Sequence, residues 1–384
     1  MKLWRKNIYC SVKRTLLGVV CYFLLLPAFT IIAGESNALY MHNNSSYKDG
    51  RIERKYDLGY DVKNEYGIKK YGSNLISSSL IKSPREGASA IIVEKDSQTL
   101  WIYTSKNGEF INVLEIPCST GEVDGPKMVE GDKKTPEGIY FLKHAYEDRF
   151  LTPIYGRRAF TTDYPNFVDI TLGRTGSAIW LHGTNKRLKP MDSNGCVAMN
   201  NDDVVKISQY VVLDETPVII MDRVEYASLE TSVAQRINVL DFISMWIESL
   251  NRGSYLEYLC HYAADHLPDV QWWAEWVDIR SRTAISGNRI MAKFDNIGIY
   301  RHKDHFVVLM DFQVTSPYRT MYVGKRKLFI RPHINNLSSY DSNQYKIIGD
   351  VFQTVAVKRA DKNTNYFITA ASQIDEQYRE YKIK

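Results

Sequence analysis

Residues 179–184 read IWLHGT and residues 193–199 read SNGCVAM, and these two stretches decide the fold and the chemistry of the chain. They set His182 and Cys196 fourteen residues apart. The first stretch is apolar up to the histidine, as at the end of a strand, and the second is a glycine-bearing loop. A thiol attacks as its thiolate and needs a base beside it, so the pairing predicts a cysteine nucleophile with a histidine base.

The glycines of these stretches fit such a site. Gly195 allows the backbone to pass close to a ligand, and the N–H groups of Asn194, Gly195 and Cys196, near the start of a following helix, are a candidate oxyanion hole. Gly183 is small enough for a backbone carbonyl to orient the second ring nitrogen of His182. The alternative is that Cys196 is a buried small apolar residue and His182 a hydrogen-bonded strand-end histidine.

The surrounding chain predicts a β-rich domain. Short apolar or alternating runs are separated by turn-forming residues, and glycines recur between them, as in a β-meander. Strands are expected at residues 90–93, 99–103, 110–117, 138–142, 177–181 and 217–221. One helix is expected after Cys196, capped by Asn200 or Asn201.

The pattern changes near residue 232. Apolar residues at helical spacing predict a helix that ends at Gly253, and Ser254 with Glu257 predicts the start of the next helix. A third helix is expected over residues 269–284. Alternating runs then predict strands at residues 290–294, 298–302, 305–312, 320–330 and 345–355. Helices followed by a meander indicate an α+β arrangement in a separate domain.

The first 38 residues predict an export signal. A basic head precedes an apolar run from Leu16 to Ala33, and residues 36–38 are a candidate cleavage site. The run approaches the ~20 residues that span a bilayer, so an uncleaved membrane anchor is the alternative. Either way we expect the remainder in the periplasm or cell envelope. Residues 39–87 are polar and are interpreted as an arm, with a short helix near Leu75, that contacts a partner subunit.

Charge and cysteine content exclude several classes of protein. The chain holds 49 Lys and Arg against 44 Asp and Glu, but its first 38 residues contribute five of the bases and one acid. The remainder is nearly neutral, so nucleic-acid binding is not expected. Cys118, Cys196 and Cys260 follow the signal, and an odd number in an oxidising compartment leaves a thiol unpaired. No CxxC pair predicts a metal site.

The motifs resemble the catalytic signature of the YkuD-type L,D-transpeptidases. The resemblance rests on WLHGT at residues 180–184 and SNGC at residues 193–196. It also rests on GPK at residues 125–127 and GDKKTPEG at residues 131–138, which are similar to the family's substrate loop. It covers residues 88–222. Members of the family attack peptidoglycan stem peptides at the bond after the L-centre of the third residue, through a thioester.

The resemblance implies a role for each motif residue. Cys196 is the nucleophile, His182 the general base and acid, and Gly183 the carbonyl that orients His182. Contacts to the oxyanion or the substrate are implied for Ser193, Asn194, Gly195, Thr184, Trp180 and Arg174.

Two positions depart from the family pattern. Asn194 stands where many members have a histidine, which leaves His182 as the only titratable partner in the motif. Ala198 stands where many members have an arginine, and Arg174 or Arg187 is the candidate replacement for that cation.

Residues 236–357 resemble an NTF2-like fold in element order and aromatic content. A YkuD-type domain followed by an NTF2-like domain resembles the cell-shape-determining L,D-carboxypeptidases of helical bacteria, which also carry an N-terminal dimerisation segment. The expected fold class is α+β multidomain, with a β-rich mixed-sheet sandwich and an α+β cone. The expected segments are a signal or anchor (1–38), an arm (39–87), a catalytic domain (88–222), a linker (223–235), an NTF2-like domain (236–357) and a tail (358–384).

Three functions remain open from the sequence. The first is an L,D-transpeptidase acting on peptidoglycan stem peptides, and the second is an L,D-carboxypeptidase that trims tetrapeptide stems to tripeptides. The third is a non-catalytic scaffold that binds the cell wall. No cofactor and no metal are expected, and a homodimer through the arm is the expected assembly.

Overall fold

The computed structural model describes residues 75–285, 289–315, 320–333 and 345–354, with the backbone of residues 44–48 and 51–55. The predicted signal and the predicted C-terminal tail lie outside the described residues. The chain divides into two compact units, Met1–Tyr71 and Gly72–Lys384. In the first unit, strand β1 (Asn44–Lys48) pairs antiparallel with β2 (Arg51–Lys55).

The second unit begins with two short strands where a helix was expected. These are β3 (Leu75–Ser77) and β4 (Leu80–Lys82). Leu80 and Ile81 are buried in two different hydrophobic cores, as neighbours on opposite faces of a strand must be. The prediction of a helix near Leu75 was wrong because β4 pairs with a strand more than 200 residues later in the chain.

An eight-stranded sheet follows. Its elements are β5 (Ser89–Glu94), β6 (Thr99–Lys106), β7 (Glu109–Pro117), β8 (Gly138–Glu147), β9 (Arg158–Thr162), α1 (Phe167–Thr171), β10 (Trp180–Thr184), β11 (Val197–Asn200), α2 (Asn201–Ile207) and β12 (Pro217–Met221). The strand order is β11-β10-β9-β8-β12-β5-β6-β7. Only the β10/β11 and β5/β12 pairs of this sheet are parallel, so the sheet is mixed, as predicted.

Helices and a second sheet complete this unit. They are β13 (Tyr226–Ser228), α3 (Leu229–Arg252), α4 (Tyr255–Leu259), α5 (Val270–Ile285), β14 (Met291–His302), β15 (His305–Thr315), β16 (Thr320–Pro332) and β17 (Tyr345–Thr354). The sheet order is β17-β16-β15-β14-β4, and β13 pairs with β3. This half of the chain thus has the predicted order, in which helices come first and an antiparallel sheet follows. The segment expected to be a linker, residues 223–235, instead contains β13 and the start of α3.

Local signals explain the bounds of α3. The Ser228 side chain accepts a hydrogen bond from the N–H of Thr231 at the N-terminus. Gly253 ends the helix in the left-handed conformation, with φ +78°, as the sequence predicted. Between them α3 buries an apolar side that includes Phe242 and Trp246. Among the described helices, none is both long enough and apolar enough to cross a membrane.

The central strands of both sheets are buried on both faces. In β5, Ile91 belongs to a core on one side of the eight-stranded sheet, whereas Ile92 belongs to a core on the other side. That second core also contains Val307 and Phe329 from the five-stranded sheet. The two sheets therefore share this one of their hydrophobic cores, and both lie in the unit Gly72–Lys384.

Candidate active site

His182 and Cys196 lie at two neighbouring strands near one edge of the eight-stranded sheet. His182 lies in β10 and Cys196 directly precedes β11, and these strands are parallel neighbours with His182 opposite Ala198. Neighbouring strands lie about 4.8 Å apart. The register therefore brings Cys196 beside the strand that carries the histidine.

The Cys196 thiol lies against the chain that enters β10. Its Sγ is 3.6 Å from the carbonyl oxygen of Ala178, and the backbone of Trp180 hydrogen-bonds to the sulfur. Burial raises the pKa of Cys196, while the Trp180 hydrogen bond and the charge of Lys127 act in the opposite direction. The thiol is therefore protonated near neutral pH, so a nucleophilic role for Cys196 would require a base.

The His182 imidazole is oriented by the main chain. Its Nδ1 lies 2.6 Å from the carbonyl oxygen of Gly183. Because a carbonyl only accepts, Nδ1 carries the proton and Nε2 is left as an acceptor. Burial lowers the pKa of His182, and the hydrogen bond to Gly183 only partly opposes that effect. At rest His182 is thus a neutral imidazole, the form that a general base needs.

Hydrogen bonds brace the cysteine loop from two sides. Ser193 Oγ donates to the carbonyl oxygen of Cys196 at 2.7 Å and accepts from the N–H of Gly195 at 3.1 Å. Thr135 Oγ1 donates to the carbonyl oxygen of Gly195 at 2.9 Å and accepts from the N–H of Gly121 at 2.8 Å. Ser193 thus supports the loop from within, and Thr135, to which the sequence analysis assigned no role, supports it from the segment that resembles a substrate loop.

The predicted oxyanion hole needs correction. The helix expected after Cys196 begins at Asn201 with Asn200 as its N-cap residue, as predicted, because pairing with β10 keeps residues 197–200 extended as β11. Its N-terminus is therefore separated from Cys196 by a whole strand. The N–H of Gly195 already donates to Ser193. Asn194 is exposed and remains placed to meet a substrate.

Aromatic rings form a wall beside the histidine. Trp180 is half-buried, with its ring stacked on Tyr146 at a centroid distance of 5.7 Å and 4.8 Å from the ring of Tyr155. Tyr155 in turn presents its ring edge-to-face with the His182 imidazole, at 5.0 Å. The wall shields one side of the imidazole from water.

Two other predicted substrate contacts have local partners instead. Arg174 Nη1 donates to Asp169 Oδ1 at 2.8 Å, and the Asp169 side chain is 1% exposed. Burial raises the pKa of Asp169, and the Arg174 hydrogen bond opposes that effect. Arg174 therefore neutralises a buried carboxylate, which does not fit its predicted role as a substrate cation. Thr184 Oγ1 accepts from the N–H of Lys186 at 3.1 Å.

The segment that resembles a substrate loop is organised by one carboxylate. Asp132 accepts from Lys127 Nζ at 2.7 Å and from the N–H groups of Met128 and Val129 at 2.7 and 3.0 Å. Burial acts to raise the pKa of Asp132, but these hydrogen bonds dominate and lower it to about 2. Sequence reasoning assigned no role to Asp132, although an aspartate after Gly131 is a common turn signal.

Comparisons with known proteins relate this stretch of the chain to one family. Residues 88–220 match the model of the YkuD family, the L,D-transpeptidase catalytic domain. The eight-stranded sheet with His182 and Cys196 thus lies in the stretch that matches the YkuD catalytic domain. The chain is 30% identical over 126 residues to the putative L,D-transpeptidase YafK of Escherichia coli, covering 32% of this chain. The match spans 46% of that relative, less than half its length.

Two solved structures resemble most of the chain. Bd1075 of Bdellovibrio bacteriovorus superposes with a TM-score of 0.60 and 26% identity, over 74% of this chain and 100% of that one. The helical cell shape determining protein Pgp2 of Campylobacter jejuni superposes with a TM-score of 0.55 and 22% identity, over 71% and 95%. The shared fold therefore extends beyond the catalytic domain into the second sheet and its helices.

Proposed function

We propose that this protein is an exported cysteine enzyme that acts on peptidoglycan stem peptides as an L,D-transpeptidase. The observation that carries the proposal is the hydrogen bond from His182 Nδ1 to Gly183, which leaves Nε2 as an acceptor on the strand next to Cys196. It lies within the stretch that matches the YkuD family. The non-catalytic scaffold is disfavoured because both reactive side chains are present and supported.

The first half-reaction forms a thioester. Cys196 Sγ attacks the carbonyl carbon that follows the L-centre of the third stem residue while His182 Nε2 takes the thiol proton. The tetrahedral intermediate collapses with cleavage of the C–N bond, and the leaving amine of the terminal D-residue takes that proton from His182. The N–H groups of Asn194 and Cys196 are the candidates to stabilise the oxyanion.

The second half-reaction decides between two enzymes. If the amine of a second stem peptide attacks the thioester, the product is a cross-link. If water attacks, the product is a tripeptide and the enzyme is an L,D-carboxypeptidase. The second outcome is the alternative function, and it agrees with the likeness in fold to the helical cell shape determining protein Pgp2. In either case His182 removes a proton from the attacking amine or water. The C–S bond of the thioester then breaks, and the sulfur of Cys196 takes that proton back from His182.

The remaining proposals concern location and assembly. Residues 1–38 export the chain to the periplasm or cell envelope, with membrane attachment only if the signal is retained. The arm at residues 39–87 contacts a second copy of the chain, although its last strand, β4, belongs to the five-stranded sheet. No cofactor, metal or nucleic acid takes part.

A product analysis tests the proposed reaction. Purified protein is incubated with a disaccharide-tetrapeptide, with and without a second stem as acceptor, and the products are separated by mass. Cross-linked dimers support transfer, and tripeptide alone supports trimming. Cys196→Ala removes both products, whereas Cys118→Ala, at a buried thiol, retains them. Wild-type protein that yields neither product refutes both enzymatic functions.

A further inference from the structure

Asn201 lies at the first turn of α2, where the sequence suggested only a helix cap. Of the two cap candidates, Asn200 is the N-cap residue. Asn201 Oδ1 accepts from the N–H of Arg157 at 2.9 Å, and its Nδ2 donates to Asn185 Oδ1 at 2.7 Å. Asn185 Nδ2 in turn donates to the carbonyl oxygen of Pro153 at 2.8 Å. Two asparagines thus hold both ends of the segment 153–157.

That segment carries the ring that packs on the catalytic histidine. Pro153–Tyr155 is a single 3-10 turn, and Tyr155 presents its ring edge-to-face with the His182 imidazole at 5.0 Å. A single 3-10 turn has little stability of its own. Its position therefore depends on the bonds at its ends, which Asn185 and Asn201 supply.

The same side chain also lies against the backbone that orients His182. A Cβ built on Gly183 would be 2.3 Å from Asn201 Oδ1, and one built on Gly156 would be 2.0 Å from it. Both glycines are therefore required for the amide to fit between their two chain segments. Gly183 is the residue whose carbonyl accepts from His182 Nδ1. Asn201 can therefore influence the imidazole in two ways. It lies against Gly183, and it holds the turn that carries Tyr155.

We infer that Asn201, with Asn185, is a positioning residue that sets the orientation and tautomer of the His182 imidazole. Its side chain bonds to Arg157 and Asn185, and it acts by fixing the Gly183 backbone and the turn that carries Tyr155. The inference rests on the proposed function only for its effect on turnover. Its effect on the imidazole exists without substrate.

The test compares Asn201→Ala with Asn200→Ala. Asn200 is the adjacent residue, and its side chain contacts Asp203 rather than the turn. NMR of the ¹⁵N-labelled imidazole reports the Nδ1–H tautomer of His182 without substrate, and product formation gives kcat and KM. Asn201→Ala is expected to reduce the Nδ1–H population and to lower kcat at least tenfold with little change in KM. Asn200→Ala is expected to leave both at wild-type values.

Two further variants keep the inference testable if Asn201→Ala does not fold. Asn201→Asp keeps the acceptor for the Arg157 N–H, and Asn185→Ala removes only the bond to Pro153 and its link to Asn201; each is expected to give an intermediate loss of kcat. An unchanged tautomer and unchanged kcat in folded variants would overturn the inference. If wild-type protein forms no product, the proposed function fails, whereas the imidazole spectrum still decides the role of Asn201.

Discussion

Lys303, at the turn between β14 and β15, donates from Nζ to Glu137 Oε2 at 2.9 Å. Glu137 belongs to the segment that resembles a substrate loop, and Lys95 Nζ donates to its other oxygen at 3.1 Å. The Glu137 side chain is 5% exposed and that of Lys95 is 4% exposed, whereas Lys303 is 60% exposed. The second sheet thus contributes an outer partner to a buried ion pair two residues from Thr135, which supports the cysteine loop.

Glu137→Gln is expected to destabilise the protein by about 3 kcal/mol, because it leaves the Lys95 ammonium buried without its carboxylate. Lys303→Met is expected to cost only ~0.2–1 kcal/mol, since that ammonium lies mostly in water. Urea unfolding at pH 7 measures both changes. Equal losses for the two variants would contradict this assignment of the buried pair.

The effect of Glu137→Gln is also expected to depend on pH. Burial acts to raise the pKa of Glu137, but the hydrogen bonds from Lys303 and Lys95 prevail and hold it below its usual range. A carboxyl group whose pKa is lower in the folded protein than in the unfolded chain stabilises the fold at pH values above the unfolded pKa, about 4.3. This stabilisation is lost as the pH falls through the pKa of the folded protein. The difference in free energy of unfolding between wild type and Glu137→Gln should therefore be largest at pH 7 and should decrease below about pH 4.

Gly195→Ala is expected to remove activity. Gly195 has φ +115°, and a Cβ there would lie 2.7 Å from the carbonyl oxygen of Lys134, so the loop that carries Cys196 must move. Gly131→Ala is the matched control. Gly131 has φ +78° but open space around its Cβ position, so only backbone strain of about 1 kcal/mol is expected.

The readout for both glycine variants is the rate of thioester formation with the tetrapeptide, followed by mass spectrometry of the intact protein. Gly195→Ala should form no acylated species, whereas Gly131→Ala should still form it. Acylation of Gly195→Ala at the wild-type rate would show that the close contact with Lys134 does not control the loop.

Local features of the structure were predictable from sequence, and long-range ones were not. Gly253 ends α3 as predicted, because a left-handed helix end depends on one residue. The strand predicted to begin at residue 177 begins instead at Trp180, since Ala178 has φ +59°. The stretch at Leu75 forms strands because of pairing partners far along the chain, which no local pattern encodes.

The candidate site divides in the same way. The motif singled out His182, Gly183 and Cys196 because their chemistry is visible in a short string. The contact of Lys303 with Glu137 joins residues 166 positions apart, and the Asn201 network joins three separate segments. Such supports depend on the folded arrangement of the sheets, so spacing in the sequence cannot reveal them.

Arg326→Met is expected to destabilise the second sheet and its helices by about 3–5 kcal/mol. Arg326 is buried, lies over the rings of Trp246 and Trp272 at 5.0 and 4.4 Å, and donates from Nε to Asp350 at 2.9 Å. Removal of the guanidinium leaves the mostly buried carboxylate of Asp350 without its cation. The double variant Arg326→Met with Asp350→Leu should recover much of the loss, because no charge is then buried alone.

Arg252→Met is the control for that experiment. Arg252 pairs with Glu248 and Glu257 at the surface, and all three side chains are at least half exposed, so its loss should cost no more than ~1 kcal/mol. Thermal unfolding of wild type, Arg326→Met, the double variant and Arg252→Met ranks their stabilities. A double variant as unstable as Arg326→Met alone would show that packing on the tryptophans, rather than charge pairing, holds this cluster.

Alkylation of the thiols tests the resting state of the proposed catalytic pair, Cys196 and His182. Because burial raises the pKa of Cys196 and lowers that of His182, both side chains are neutral at pH 7. The rate of iodoacetamide labelling at Cys196 should therefore keep rising from pH 7 to pH 9 as the thiolate forms. Cys118 is 2% exposed and burial raises its pKa to about 12, so peptide mapping should find it unmodified.

His182→Gln separates labelling from turnover. Without a preformed ion pair, the variant should label at pH 9 at a rate close to that of wild type, while product formation falls by about 10²–10⁴-fold because the base is lost. A labelling rate that is already at its plateau at pH 6 in wild type, and that drops in His182→Gln, would instead indicate a thiolate–imidazolium pair. In that case the proton would have moved to His182 before substrate binds, and attack by Cys196 would not depend on a base in the transition state.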